Sequence, residues 1–315
     1  MSFHSNFQMQ EPDMTQTVLI LGASGRFGQN AANAFTQAGW TTRRYDRSQH
    51  NLAQAATGAD VIVNALNPPY PDWEKQLPGL HAEVIAAARQ TGATVIVPGN
   101  VYVFGQQTPG PWSETTPHNA KNMLGRLRID IEAAYRRSGV QTIVLRAGDF
   151  VDTSASGNWF DQIMIKTLHK GVFTHPGNPD IPHAWAYLPD MCRAAVQLAE
   201  MRDGLPVFND IPFAGYTASG NDIAAGLTRV TGRNMRVKPM SWLPIQLLRP
   251  FWRVAPRLLE MRYLWDTPHS LDNTLFDTLL PGFQTTPLET ALASAIPQGS
   301  VQRQINPHKA VAAGG

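Results

Sequence analysis

Residues 18–28 read VLILGASGRFG. The run from Thr17 to Leu21 is apolar and rich in β-branched residues, which suits a buried strand. Glycines follow at 22, 25 and 28, and Gln29 to Ala38 is a helix-compatible run. A strand, a glycine turn and a helix in that order make the site that a dinucleotide pyrophosphate needs. Gly22 permits the tight turn, Gly25 lets the backbone approach a phosphate without a Cβ, and Gly28 lets the helix lie close to the strand. The free N–H groups at the helix start and the positive end of its dipole then face the phosphate charge. Ser24, Arg26 and Phe27 belong to the same turn and are expected at the cofactor with the glycines. The plainer alternative is an ordinary βα turn that happens to use glycine.

Working outward, Trp40 to Asp46 reads as a second strand. Asp46 at its end is placed to accept hydrogen bonds from an adenosine ribose and to repel a 2′-phosphate, which favours NAD. Arg43, Arg44 and Arg47 surround it, and an arginine there pairs well with the phosphate of NADP, so both cofactors stay open with a lean to NAD. Ala59 to Leu66 is a third strand, apolar enough to be buried on both faces of a parallel sheet. The chain breaks at Asn67-Pro68-Pro69-Tyr70-Pro71. Loops at this edge of such sheets border the ligand, which places Ala65, Leu66 and Asn67 beside the cofactor.

A helix over Leu80 to Gln90, a strand over Thr94 to Pro98 continuing through Gly99 to Gly105, a helix over Lys121 to Arg137 and a strand over Gln141 to Arg146 follow. The alternation implies an α/β fold, a Rossmann-type doubly wound parallel sheet with helices on both faces. The expected division is a polar tail over 1–14, a dinucleotide-binding domain over 15–150, a smaller substrate-binding part over 151–296 with segments returning to the sheet, and a second tail over 297–315. Within 151–296, helices are expected over Pro189 to Met201 and Ser219 to Thr231, with short strands over Pro206 to Asn209 and Met235 to Lys238. Residues 242–265 are rich in Trp, Leu and Phe and broken by prolines; helices packed over a substrate pocket are expected there, ahead of a membrane-surface segment.

Composition narrows the classes. Of 315 residues, 43% are hydrophobic and 16% charged, which fits a soluble globular chain. Net charge is only +2 with no long Lys/Arg run, so no nucleic-acid partner is expected. A single cysteine, Cys192, rules out an intrachain disulfide and suits a reducing cytoplasm. The absence of an 18-residue apolar stretch excludes an ordinary transmembrane helix, and no membrane partner is expected. No His, Asp or Glu spacing of the HExxH kind points to a metal.

Taken in order, GASGRFG (22–28), ADVIVNALNP (59–68), GNVYVFG (99–105), GRLRIDIEAA (125–134), VLRAGDF (144–150) and HAWAYLPDMCRA (183–194) resemble the extended short-chain dehydrogenase/reductase family, in its NAD-dependent epimerase/dehydratase group. The resemblance covers roughly residues 15 to 200. It implies a Rossmann domain with a smaller, mostly C-terminal substrate domain, NAD or NADP, and hydride chemistry on a carbonyl, a hydroxyl or a sugar nucleotide. Family members often pair, which here implies a possible homodimer through Leu80 to Gln90 and Lys121 to Arg137.

The departures matter as much. The family's Tyr-x-x-x-Lys pair aligns with Leu124 and Arg128, and its Ser or Thr with Asn100. Leucine cannot transfer a proton, and an arginine with a pKa above about 12 does not act as an acid at neutral pH. Arg128 remains suited to a cofactor ribose, and Asn100 to polarising a substrate oxygen. Tyr102, two residues beyond Asn100 in a strand-like segment, is expected to face the same way. His183 is a natural acid/base near neutral pH. Tyr187, Asp149 and His118 are further candidates at the pocket border, and Asp190 reads as a helix cap. Two functions stay open, an NAD(P)-dependent oxidoreductase or epimerase/dehydratase acting on a small molecule with Asn100, Tyr102 and His183, or a catalytically silent NAD(P)-binding sensor or scaffold.

Overall fold

The first five strands of the computed structural model are β1 (Thr17–Leu21), β2 (Thr41–Arg44), β3 (Val61–Asn64), β4 (Thr94–Asn100) and β5 (Thr142–Ala147); all but the polar β2 lie where the apolar runs fall. Residues 15–48 and 51–297 are described; the tail calls over 1–14 and most of 297–315 lie outside them. Six further strands follow: β6 (Asp149–Val151), β7 (Val172–His175), β8 (His183–Tyr187), β9 (Phe208–Pro212), β10 (Tyr216–Ala218) and β11 (Arg236–Pro239). The central sheet has the order β2-β1-β3-β4-β5-β9, and every pairing in it is parallel. β3 and β5 are buried along their whole length, as strands covered on both faces must be.

The helices are α1 (Arg26–Gln37), α2 (Leu52–Ala56), α3 (Trp73–Thr91), α4 (Met123–Ser138), α5 (Leu188–Glu200), α6 (Gly220–Thr231), α7 (Leu243–Leu248), α8 (Ala255–Met261), α9 (Thr274–Leu279) and α10 (Leu288–Ala295). Phe27, Ala31 and Phe35 of α1 pack with Met191, Ala195 and Leu198 of α5 against one face of the sheet. Trp73, Leu77 and Val84 of α3 and Leu124, Ile131 and Tyr135 of α4 cover the other.

α3 begins seven residues earlier than the sequence suggests and carries Pro78 inside it. Pro78 removes one helical hydrogen bond, and the burial of Trp73, Leu77 and His81 around it offsets that loss. The continuation of β4 is also corrected. Rather than staying extended, the chain turns into a short 3-10 segment over Val101–Phe104, capped by the Asn100 side chain, which accepts from the Tyr102 N–H at 3.0 Å.

Beyond Gly148, β6, β8 and β10 form a second sheet, β8 antiparallel to β10 and parallel to β6, and β7 pairs with β11. A third apolar cluster, including Phe160, Trp185, Leu227, Trp242 and Trp265, fills the space around them. Asp190 is not a helix cap: it is buried in the first turn of α5, where it accepts hydrogen bonds from Arg193 and from the Thr286 N–H and hydroxyl.

Candidate functional site

The main cavity, about 600 Å³, opens at the carboxyl ends of β1, β3, β4 and β5. In parallel α/β sheets this edge is where ligands bind, because the helix N-termini and connecting loops gather there. Its wall includes the glycine turn, the loop from Asn64 to Trp73, the end of β4 through Tyr102, Ala147 to Phe150 and the stretch from Ser156 to Trp159, with Arg47 and Arg128 added from elsewhere in the chain.

The glycine turn is shaped by contacts that only two of its glycines require. Gly22 has φ +71°, and a Cβ there would lie 2.6 Å from the Ala65 carbonyl oxygen. A Cβ on Gly28 would lie 2.2 Å from the Gly22 carbonyl oxygen. Gly25 differs: a Cβ there meets only the Gly22 oxygen, at 3.3 Å, a tight contact that a shift of a few tenths of an ångström relieves, so the fold constrains it less than Gly22 or Gly28. Gly25 is the N-cap of α1, and no side chain caps the helix. The first N–H groups of α1 therefore face the cavity with the dipole behind them, the arrangement an anion requires. The turn and the open face of Gly25 fit a dinucleotide pyrophosphate.

Ser24, Arg26, Phe27, Ala65, Leu66, Asn67 and Arg47 line the cavity with Gly22 and Gly25, while Gly28 sits behind the turn. Asp46 is not part of the wall. It is exposed, and its Oδ1 accepts from the N–H and hydroxyl of Ser48 at 2.9 and 2.7 Å. Arg43 is likewise turned away, donating to the Thr57 carbonyl at 3.0 Å.

Arg128 is buried on the wall, donates to the Pro98 carbonyl at 2.7 Å and lies over the Trp73 ring. Its Nε has no protein partner and is buried. Burial lowers the guanidinium from its ordinary value, yet arginine remains a cation through neutral pH. Leu124 is wholly buried in the core, and its N–H donates to Glu260 Oε1 at 2.7 Å.

Asn100 and Tyr102 both line the cavity. The Asn100 side-chain oxygen is used by the turn, which leaves its amide N–H groups for a ligand. The Tyr102 hydroxyl is 2.7 Å from the hydroxyl of Tyr70, which the sequence reading had placed in a bordering loop without a role. Burial, with Tyr70 and Asp149 nearby, pushes the Tyr102 hydroxyl well above its ordinary value. It is a protonated donor at neutral pH.

His183 does not reach the cavity wall. Its Nε2 lies 2.8 Å from Oδ2 of Asp149, and Asp149 does line the cavity. The His183 ring is stacked on Trp265, with centroids 4.5 Å apart and planes within 1°. Tyr187 and His118 also lie off the wall. The Tyr187 hydroxyl pairs with Ser294 at 2.8 Å, and His118 lies 3.5 Å from Asp210. Among the described residues, His118, Glu132 and Asp210 are close enough to share a cation. Arg146 already occupies their centre, with Nη2 2.7 Å from both carboxylates.

Behind the wall, Asn64, His81 and the Tyr135 hydroxyl form a buried polar group with separations of 2.9 to 3.1 Å. Burial, with Arg128 nearby, lowers His81 to about 3, so its ring is neutral. Sequence reasoning missed this group because its members lie far apart in the chain.

No family model and no curated protein sequence matches the chain. Solved structures do. UDP-glucose 4-epimerase from Brucella ovis in complex with NAD is 19% identical over 91% of this chain and 99% of its own, with a TM-score of 0.68. A dTDP-4-dehydrorhamnose reductase from Clostridium acetobutylicum is 17% identical over 89% and 98%, with a TM-score of 0.66. An NAD-dependent NDP-hexosamine 5,6-dehydratase involved in tunicamycin biosynthesis is 14% identical over 89% and 96%, with a TM-score of 0.67. The chain has the Rossmann-type fold of these epimerase, reductase and dehydratase structures.

Proposed function

We propose that this protein binds NAD in the cleft described above and acts on a hydroxyl-bearing or carbonyl-bearing carbon of a sugar nucleotide, as an epimerase, dehydratase or reductase. The observation that carries this reading is the continuity of the Gly22–Gly28 turn with a cavity holding Asn100, the Tyr70–Tyr102 pair and Asp149. Neighbours of the same fold bound to NAD and to UDP-sugars support the choice of ligand.

In this reading Gly22, Gly25 and the first N–H groups of α1 hold the pyrophosphate, and Arg128 takes a ribose hydroxyl through its orphaned Nε. When bound, NAD supplies a hydride acceptor or donor. The Asn100 amide donates to the substrate oxygen that gains charge. Tyr102, hydrogen-bonded to Tyr70, gives the proton to that oxygen when the carbonyl carbon is reduced, and its phenolate takes the proton back when the alcohol is oxidised. Asp149, with His183 fixing its carboxylate, exchanges this proton between Tyr102 and solvent. The site is proposed to work in the cytoplasm; among the described residues no helix is long and apolar enough to cross a membrane. Pairing of two copies would use the outer faces of α3 and α4, where Glu74, Met123 and Leu127 line a shallow groove.

The burial of Leu124 favours one competing reading, a sensor that binds NAD without turning over. Fluorescence titration with NADH and NADPH, on the protein and on Arg128→Met, separates the outcomes when followed by a nucleotide-sugar panel assayed for hydride exchange. Tight NADH binding that weakens roughly tenfold in the variant, with exchange on one sugar nucleotide, supports the enzyme. Binding without exchange supports the sensor, and no binding of either nucleotide removes both.

A further inference from the structure

Five of the six exposed large hydrophobic side chains among the described residues sit in one short stretch: Leu243, Leu247, Leu248, Phe251 and Trp252. Leu247 is 67% exposed and Phe251 87%, far beyond what isolated surface apolar residues require. The stretch is α7 and the turn after it, and internal bonds hold its shape: the Phe251 N–H donates to the Leu248 carbonyl at 2.9 Å and the Trp252 N–H to the same carbonyl at 2.8 Å.

The stretch is anchored beside the cavity at two points. Trp242, the N-cap of α7, packs on Trp159 of the cavity wall, with ring centroids 5.8 Å apart. Arg253 pairs at 3.0 Å with Asp72, which immediately precedes the wall residue Trp73. The apolar tip thus projects from the cavity rim rather than covering the cavity, which corrects the expectation that these residues close over a pocket.

Its charge is mainly basic. Arg249 and Arg253 are exposed and interleaved with the apolar tip, Arg253 being paired with Asp72, and no carboxylate occurs between Lys238 and Glu260 in the sequence. A second copy meeting this patch about a two-fold axis would set arginine against arginine, an unfavourable contact for an isologous interface. An anionic lipid surface offers what both parts need, phosphate for the guanidinium groups and acyl chains for Leu, Phe and Trp, with Trp suited to the boundary between them.

We propose that residues 243–253 dock this protein peripherally onto an anionic bilayer. The sequence alone argued against a membrane partner because hydropathy along the chain does not reveal which residues of an apolar run remain uncovered. Docking places the rim formed by Asp72 and Trp159 next to the lipid headgroups.

Co-sedimentation of the full chain with vesicles of phosphatidylglycerol and phosphatidylcholine in equal parts, against pure phosphatidylcholine, tests this. Binding to the anionic vesicles that falls with added salt is expected. The double variant Leu247→Ser/Phe251→Ser should lower the partition coefficient by about tenfold or more, and Arg249→Glu by at least about fivefold. These residues are exposed, so both variants should keep the circular dichroism and melting of the parent. No preference for anionic vesicles overturns the proposal, as does equal binding by the variants. A dimer in sedimentation equilibrium that the double variant dissociates, without vesicle binding, assigns the patch to a second copy and also overturns it.

Discussion

Asp149 and His183 form a pair whose two members face different surroundings. The carboxylate stands on the cavity wall, while the imidazole behind it, 2.8 Å away, is fixed flat against Trp265. Under the proposed function, a carboxylate on the cavity wall held by a packed imidazole is placed for proton transfer. Asp149→Asn is expected to lower turnover about 100-fold or more while leaving NADH affinity unchanged. His183→Phe keeps the stacking and removes the hydrogen bond, so it should lower turnover by less than Asp149→Asn, again with NADH affinity unchanged. Unaltered turnover in both variants would leave the pair a structural one.

The glycine turn separates folding from binding. Gly28→Ala drives a Cβ into the Gly22 carbonyl and should destabilise the protein by about 1–3 kcal/mol in chemical denaturation. Gly25→Ala meets one tight contact, the Gly22 carbonyl oxygen at 3.3 Å, and should destabilise the protein less than Gly28→Ala does, yet bind NADH roughly tenfold more weakly because its methyl group would stand where the pyrophosphate is proposed to lie. Equal cofactor affinity in Gly25→Ala would make the turn an ordinary one.

The sequence made the central sheet legible because buried parallel strands are continuous apolar runs and the glycine spacing is local. The second sheet was opaque for the opposite reason. β6, β8 and β10 are three to five residues long, and β8 is buried throughout, so no alternation marks it. The family resemblance points to Asn100 and a two-residue spacing points from it to Tyr102, although the chain between them is a turn rather than a strand. Tyr70 lay in a loop already flagged, and only its contact with Tyr102 gives it a role. The partnership of Asp149 with His183 spans 34 positions, which no local pattern encodes.

Arg146 holds the sheet edge together from inside. It donates to Asp210 at 2.9 and 2.7 Å and to Glu132 at 2.7 Å, and all three side chains are almost fully buried. Burial works to raise the Asp210 carboxyl, but Arg146 beside it and the hydrogen bonds to it bring it below its ordinary value. That carboxylate contributes stability above its unfolded pKa, near 3.9, and loses it only as the pH falls through the lower folded value. Arg146→Met strands two buried carboxylates and should cost about 3–5 kcal/mol in urea denaturation at neutral pH. A loss below about 1 kcal/mol would mean that water reaches the site and screens them.

His269 makes acid sensitivity testable at one residue. It is buried, stacked on Trp112 at 4.9 Å, with Nδ1 2.8 Å from the Thr267 carbonyl and Nε2 without a partner. Burial, and secondarily His183, lowers it to about 3. The unfolded chain, with an ordinary value near 6.5, binds the proton that the folded chain refuses between these limits. Stability therefore rises with pH across that window and is lost on acidification, by about 2 kcal/mol per such histidine between pH 6.5 and 5. His269→Phe keeps the stack on Trp112 and removes the titration. Chemical denaturation at pH 7 and pH 5 should show the variant losing about 2 kcal/mol less than the parent, since the carboxylates that titrate in both cancel in the comparison. An equal loss in the two proteins would mean that His269 takes up its proton in the folded state at an ordinary pH, and that the cluster it shares with His183 is open to water.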